Sequence, residues 1–242
     1  MKLDILAIAV HPDDVELGCS GTLMMHAAKG LKTGVVDLTR GELGTRGTPE
    51  GRIQEAEAAA RIMGLEVREN LGLADGFFRN DTMEQMAIIT AIRKYQPEIV
   101  LANAIDDRHP DHGRAAKLIA DSCFLAGLRK ISTQHNGEEQ AAWRPKQVFH
   151  FLQDRYHEPD FVLDISPVMD RKLEAIKAFS SQFLAPKDNE PQTYISSSGF
   201  FDSVIYRARM LGKMVGVEYA EGYTTAKKLG IRNFADLINE VT

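Results

Sequence analysis

Short apolar runs rich in β-branched residues recur along the chain, and stretches with helical periodicity separate them. The predicted strands are Leu3 to Val10, Thr33 to Leu38, Glu98 to Ala102, Gln147 to Leu152 and Phe161 to Ile165, with a weaker one at Arg68 to Leu71. Apolar residues at three- and four-residue spacing predict helices between them. These helices are Gly21 to Lys29, Arg52 to Met63, Thr82 to Tyr95 and Gly113 to Ala126. Such alternation is typical of βαβ units and predicts an α/β fold with a mostly parallel sheet flanked by helices.

The pattern becomes more helical from Pro167 onward, with long candidate helices at Met169 to Phe179 and Phe201 to Val215. The segment between them, LAPKDNEPQTYISSSG, is polar, contains two prolines and ends in glycine, so it predicts a surface loop. No linker or internal repeat divides the chain. We therefore expect a single domain over residues 1–242 with a helical C-terminal part.

Composition narrows the functional classes. The 242 residues are 44% hydrophobic, enough for a full core, and the net charge of −5 favours neither nucleic acid nor an anionic membrane as partner. A small polar or sugar-like ligand fits better. The two cysteines suit a reducing compartment, and the apolar run that ends at Val10 is too short for a signal peptide or a membrane span. We expect a soluble cytoplasmic protein.

The sequence AVHPDDVELGCSG places His11, Asp13 and Asp14 directly after the first predicted strand. Ligand sites in open parallel sheets lie beyond the carboxyl ends of the strands. The stretch therefore lies where such a site is expected. Taken alone, it could also be a helix start whose aspartates only cap the first turn.

A second stretch, DDRHPDHGRAA, repeats the arrangement after another predicted strand, with His109, Asp111 and His112. In both stretches the proline extends the preceding histidine and suits the first turn of a following helix. Two such motifs at one sheet edge bring three histidines and three aspartates into one crevice. That concentration of ionisable groups is costly unless it serves a metal or a reaction.

Histidine, aspartate and histidine form the ligand set of a catalytic divalent metal with an open position for water. His11 and Asp14 could supply two ligands and one histidine of the second motif the third. Asp13 is then a candidate general base, and the remaining histidine a candidate acid. This division of roles predicts metal-assisted hydrolysis.

The combination of HPDDVE and HPDH resembles the zinc-dependent de-N-acetylases related to LmbE and PIG-L. The resemblance extends through DLTRGELGTRGTPEGRIQEAEAAARIMG, FVLDIS, SSQF and GVEYAEGY, which are similar to the bacillithiol biosynthesis deacetylases over most of the chain. It implies a Rossmann-like fold, zinc as cofactor, and removal of acetyl from N-acetylglucosaminyl compounds. For that subfamily the implied substrate is N-acetylglucosaminyl-malate, and homo-oligomers, often hexamers, are implied as well.

Carried over residue by residue, the resemblance makes His11, Asp14 and His112 the zinc ligands. Asp13 becomes the base that takes a proton from the attacking water. Iron or another divalent metal is an alternative to zinc, because occupancy depends on metal availability.

The same resemblance assigns the supporting residues. His109 would stabilise the oxyanion and help the amine leave, and Asp111 would orient His109 and favour its protonated form. Arg52 matches an arginine that contacts the substrate. Glu16 completes HPDDVE and is expected to support the metal ligands.

The chain departs from its relatives in SSSGFFDSVIYRARMLGK, where Gly199 is followed by Phe200. The relatives have a tyrosine there that is thought to bind the tetrahedral intermediate. Tyr194 could supply the hydroxyl instead, but it lies six residues earlier in a predicted loop. We expect the metal and His109 to stabilise the oxyanion without it.

Malate carboxylates would bind arginines, and the candidates are Arg40, Arg46, Arg52 and Arg108. Two other functions use the same ligand set. One is a non-haem iron oxygenase, which needs no base beside the metal, so Asp13 argues against it. The other is a non-catalytic metal- or sugar-binding protein, against which Asp13 and His109 both argue.

Overall fold

The computed structural model describes residues 1–183, 191–231, 233 and 234. A seven-stranded sheet, with helices on both faces, forms the centre of the molecule. The strands of this sheet are β1 (Ile5–Ala9), β2 (Thr33–Asp37), β3 (Val67–Asn70), β4 (Ile99–Ala102), β7 (Gln147–Phe151), β8 (Phe161–Asp164) and β9 (Ala220–Thr224). Two short strands, β5 (Gln134–His135) and β6 (Glu138–Glu139), form a separate two-stranded sheet. The helices are α1 (Asp14–Gly18), α2 (Ser20–Ala28), α3 (Pro49–Met63), α4 (Thr82–Tyr95), α5 (Pro110–Ala126), α6 (Met169–Lys177), α7 (Ser180–Phe183) and α8 (Ser198–Val215).

The large sheet has the order β3-β2-β1-β4-β7-β9-β8. Its first five strands are parallel, whereas β9 runs antiparallel to β7 and β8. The chain moves outward in one direction from β1 to β3 and then returns to the other side of β1 as β4. The carboxyl ends of β1 and β4 therefore flank a topological switch point, where α/β sheets bind ligands. The predicted α/β fold is confirmed.

Strand β1 is buried on both faces, as its unbroken apolar run predicts. Successive side chains of a strand point to opposite faces, so Ile5 and Ala7 pack with one core cluster and Leu6 and Ile8 with the other. The strand is thus held by both helical layers. The segment that follows β1 therefore begins at a rigidly held position.

Local sequence sets the helix ends that matter for the site. Thr48 accepts a hydrogen bond from the Gly51 amide at the start of α3, and His109 does the same for the Asp111 amide at the start of α5. Proline occupies the first position of both helices, where its missing N–H costs no helical hydrogen bond. Helix α4 has the predicted bounds.

The C-terminal part is helical, as predicted, but it also returns to the sheet as β9, a strand the sequence analysis missed. Of the predicted surface loop, residues 191–197 have no regular structure and residues 184–190 lie outside the described part. No helix within the described ranges combines the length and apolar character that a membrane crossing requires.

A buried ion pair ties β9 to the helices that follow β1. Glu221 accepts hydrogen bonds from the amides of Gly21 and Thr22 at the start of α2. Lys172 donates to Glu221 at 2.6 Å and also to the carbonyl of Leu17 at the end of α1. The two charges therefore satisfy backbone groups at both helix ends, each with the sign that the helix dipole favours.

Candidate functional site

The two predicted motifs meet at the carboxyl ends of β1 and β4. These strands pair in register, with Ile8 opposite Ala102, so the segments that leave them begin side by side. The ring centroids of His11 and His109 lie 4.9 Å apart, and those of His11 and His112 lie 5.8 Å apart. Sequence reasoning therefore placed three histidines in one crevice correctly.

Asp14 lies at the centre of this crevice and is almost fully buried. Its Oδ1 is 3.2 Å from Nε2 of His112, and its Oδ2 is 3.6 Å from Nδ1 of His11. Amide groups of Asn103 and Gln153 donate to it at 3.1 and 2.7 Å. The carboxylate is thus fixed between the two histidines that the motifs supply.

Each of these two histidines has a carboxylate on its other nitrogen. Asp75 lies 3.0 Å from Nε2 of His11, and Asp107 lies 2.6 Å from Nδ1 of His112. A carboxylate on the outer nitrogen fixes the imidazole tautomer and leaves the inner nitrogen as an electron-pair donor, the usual arrangement around metal-binding histidines.

The charges of the crevice favour a cation. Burial alone would lower the pKa of His11, but hydrogen bonds to Asp14 and Asp75 raise it to about 10. The pKa of His112 rises to about 9 against burial because of Asp14 and Asp107. Despite its burial, Asp14 has a pKa below the usual range because both histidines attract its charge. A divalent cation could replace these protons and satisfy the same carboxylates.

The donor groups fit a metal ion in more than one combination. Within the described part of the chain, ligand atoms of His11, His109 and His112 lie within 4.8 Å of one another, and so do those of His11, Asp75 and Asp111. The predicted set of His11, Asp14 and His112 converges as well, by the distances above. Two nitrogens and one carboxylate oxygen match the ligands of a catalytic zinc or iron centre.

Asp13 is held beside this donor set in a strained conformation. Its φ of 139° lies in a region that side chains other than glycine rarely adopt. Strain of this kind costs about 1–3 kcal/mol and concentrates at functional sites. Burial raises the pKa of Asp13 to about 7, although the nearby Arg52 charge lowers it. A carboxylate with such a pKa can exchange a proton with water near neutral pH.

A cavity of about 290 Å³ opens above these groups. Asp13, Asp14 and the three histidines form one part of its lining, and Tyr194, Phe200 and Asp154 contribute another. Such a volume is at the lower end of small-molecule sites.

Comparison with known proteins identifies the family. The model of the GlcNAc-PI de-N-acetylase family, PIG-L, matches residues 6–123, which contain both motifs. The uncharacterized deacetylase YaiS of Escherichia coli is 31% identical over 160 residues, or 63% of this chain and 83% of that protein. The chain belongs to the PIG-L family.

The names of other similar proteins give different substrates. Diacetylchitobiose deacetylase from Thermococcus kodakarensis is 29% identical over 90% of this chain and 81% of its own. A Bacillus subtilis protein named "Probable N-acetyl-alpha-D-glucosaminyl L-malate deacetylase 2" is 27% identical over 75% of this chain and 84% of its own. 4-Oxalmesaconate hydratase from Pseudomonas putida is 29% identical over 73% of both chains.

One solved structure is similar to this protein over nearly the whole chain. The conserved protein TT1542 from Thermus thermophilus has a TM-score of 0.85 and 36% sequence identity, over 95% of this chain and 97% of its own. The shared fold therefore extends beyond the region that the family model matches and includes the C-terminal helices and β9.

The structure corrects the role expected for Asp111. Its carboxylate accepts hydrogen bonds from the Gly76 amide at 2.9 Å and from Arg114 at 2.8 Å, and it does not hold His109. Only the backbone amide of Asp111 contacts that ring, donating to Nδ1 at 3.3 Å. Asp111 favours the protonated form of His109 as expected, but burial and the charges of His11 and His112 outweigh it and lower the pKa. The Asp111 amide at Nδ1 places the proton of the neutral ring on Nε2.

Arg52 has more contacts than the prediction assigned to it. It lines the cavity, as a substrate-binding residue must, but its Nη2 also lies 3.7 Å from the Asp13 carboxylate. The same atom donates to Gln182 of the SSQF motif. Arg52 thus also acts on the charge of Asp13, a contact that the sequence analysis did not predict.

Glu16 points away from the metal donors. It binds Arg68 at 2.6 Å, and Arg68 in turn binds Asp37 at the end of β2. This buried chain of charges links α1 to the neighbouring strand. Glu16 therefore holds the start of α1 from behind, and its support of metal ligands stays a prediction.

Tyr194 reaches the cavity, but its hydroxyl is already occupied. It donates to Asp154 at 3.2 Å, and the Arg108 guanidinium lies 4.5 Å from the centre of its ring. Phe200 is buried, with its ring 5.3 Å from that of Tyr194. Stabilisation of the oxyanion without a tyrosine stays a prediction.

Sequence reasoning missed four polar residues of the site. Asn103 and Gln153 follow β4 and β7 at the same sheet edge, and this position was the signal that could have found them. Asp107 lay inside the quoted second motif but received no role. Asp75 lies in a loop, and no local pattern indicated that it contacts His11.

Proposed function

We propose that this protein is a metal-dependent N-deacetylase that hydrolyses the acetamide of an N-acetylglucosaminyl conjugate. Zinc is the expected metal, held by His11, Asp14 and His112. The observation that carries the proposal is the placement of a strained, buried Asp13 beside a donor set whose histidines both have carboxylates on their outer nitrogens. That arrangement combines a metal site with a base.

A divalent metal at this position would polarise both the attacking water and the acetamide carbonyl. Asp13 accepts the proton that the water loses as it attacks the carbonyl carbon. Its buried position keeps bulk water away from the carboxylate, and its pKa of about 7 allows it to pass the proton on. Arg52 keeps a fraction of Asp13 ionised at neutral pH by lowering that pKa.

His109 acts on the other side of the reacting carbonyl. With Nδ1 held by the Asp111 amide, its neutral ring presents a proton on Nε2. This N–H can stabilise the developing oxyanion by hydrogen bonding, and it stays on the ring while the amine departs. The proton taken up by Asp13 leaves with the amine, so the site returns to its starting state.

The substrate class rests on the family and on the cavity. Members act on diacetylchitobiose and, by name, on a glucosaminyl malate, so an N-acetylated amino sugar is their shared part. N-acetylglucosaminyl-malate is the specific substrate we propose. The motifs shared with bacillithiol biosynthesis deacetylases and the arginines that line the cavity support this choice.

The test is an assay of the purified, zinc-reconstituted protein on N-acetylglucosamine conjugates that differ in aglycone. We expect equal amounts of acetate and free amine, and loss of both with Asp13→Asn. Because one relative is a hydratase, 4-oxalmesaconate is included in the panel. Hydration of that acid without amine release from any sugar would overturn the proposal.

A further inference from the structure

One arginine of the cavity is not accounted for by the reaction. Arg207 of α8 lines the same cavity as the metal donors and is partly buried. Among the residues that the structure describes, it forms neither a hydrogen bond nor an ion pair. The other two arginines of the lining differ from it, since Arg52 lies beside Asp13 and Arg108 binds Asp154.

The carboxylates around Arg207 are already used by other cations. Asp154, Asp107 and Glu221 all attract its charge, although burial lowers the pKa of the guanidinium. The existing pairs are Asp154 with Arg108 at 3.0 Å, Asp107 with His112 at 2.6 Å, and Glu221 with Lys172 at 2.6 Å. Each of these carboxylates thus already has a cation beside it. Within the described part of the cavity lining, Arg207 is the guanidinium that has no paired counter-charge.

An unpaired, partly buried guanidinium is costly unless a ligand completes it. Its planar fork matches carboxylate and phosphate oxygens, which can accept two parallel hydrogen bonds from it. The donor set for the acetamide lies in the same cavity, so one substrate can contact both regions. The cavity therefore suits a molecule with an acetamide at one end and an anion at the other.

We propose that Arg207 binds an anionic substituent of the substrate, a carboxylate or phosphate on the group attached to the amino sugar, and thereby selects charged conjugates over neutral ones. This inference rests on the proposed deacetylation. Arg207 is not among the four arginines that the sequence analysis named as candidates. The inference also assigns the side of the cavity formed by α8 to the aglycone.

The experiment compares Arg207→Gln with the unchanged protein on three N-acetylglucosaminides, which carry malate, phosphate or the neutral dimethyl ester of malate. A lost charge-assisted contact predicts a drop of roughly 10- to 100-fold in kcat/KM for the anionic conjugates, mainly through KM. The neutral ester should change less than about 3-fold, the size expected when no specific contact is lost. Arg207→Lys should recover part of the loss. Malate and phosphate conjugates separate the two kinds of anion.

Arg209→Gln is the matched control, since Arg209 lies on the same helix, is exposed and contacts Tyr219. It should leave the preference for anionic conjugates unchanged. Metal content and thermal unfolding are measured for each variant, and only variants with intact values are compared. If Arg207→Gln proves unstable, Arg207→Lys carries the comparison.

The possible results separate this inference from the proposed function. Equal losses on charged and neutral conjugates, or no preference for anions in the unchanged protein, would overturn the role of Arg207 and leave the deacetylase assignment intact. If no conjugate is deacetylated, calorimetric binding of glucosaminyl-malate decides the inference by itself. Weaker binding to Arg207→Gln would support it, and equal binding to both proteins would refute it.

Discussion

Replacing Asp107 by asparagine tests whether the outer carboxylate sets the metal-binding state of His112. Oδ2 of Asp107 lies 2.6 Å from Nδ1 of His112, and Oδ1 accepts the amides of Asp154 and Arg155 at 3.2 and 2.7 Å. An asparagine can keep the two amides only by turning its NH₂ toward His112. That group would then donate to Nδ1 and move the ring proton to Nε2, the atom that faces Asp14.

We therefore expect Asp107→Asn to fold and to bind zinc roughly 10- to 100-fold more weakly, as is typical when the partner of a ligating histidine is lost. This change corresponds to a loss of about 1.4–2.7 kcal/mol in binding free energy. Competition with a chromophoric chelator measures the affinity. Asp106→Asn is the control, because Asp106 is exposed and binds Arg155 at the surface. Unchanged zinc affinity in Asp107→Asn would refute the reasoning about the tautomer.

Three further predictions concern the reaction. Asp13→Asn should keep the metal and lose roughly 10²-fold or more in turnover, whereas Asp14→Asn should lose the metal; identical behaviour of the two, by elemental analysis and kinetics, would contradict their separate roles. Arg52→Ala should raise KM and move the acid limb of the kcat/KM profile to higher pH, because Arg52 lowers the pKa of Asp13; a limb that stays in place would exclude this coupling. His109→Ala should lower turnover at least ~10²-fold and Tyr194→Phe only a few-fold, and a large loss in a folded, metal-loaded Tyr194→Phe would transfer the oxyanion role to that tyrosine.

Sequence periodicity predicted the elements in which the apolar residues alone show which faces are buried. Strand β1 is apolar on both faces, and α4 has a clear apolar stripe and an aspartate cap, so both were found close to their true bounds. Strand β9 was missed because it contains Glu221 and Gly222 at buried positions. Glu221 is tolerated there because Lys172 and two backbone amides bind it, and none of these three partners is near in sequence.

The site shows the same division between local and long-range information. The strand ends and the two His-Pro motifs placed His11, His109 and His112 together, because parallel strands bring such ends to one edge. The Asp111 carboxylate is held by Arg114 of the same motif and by the amide of Gly76, which is distant in sequence, and the motif did not indicate this direction. Its closeness to His109 in sequence was therefore misleading.

The partners of the histidines follow the same rule. Asp75 and Asp107 contact their rings through loops whose course depends on the packed helices, and no periodicity encodes that course. The same is true of Arg207, whose place beside carboxylates already paired with other cations becomes visible only when each of them has been assigned.

The most direct test of metal-dependent deacetylation follows oxygen from water into acetate. The protein is stripped with a chelator, reloaded with zinc and supplied with N-acetylglucosaminyl-malate in ¹⁸O-enriched water. Attack by one water predicts one ¹⁸O in each acetate released, no turnover in the stripped protein, and recovery when zinc returns. Acetate that forms at the same rate without metal, or that carries no label, would contradict the account.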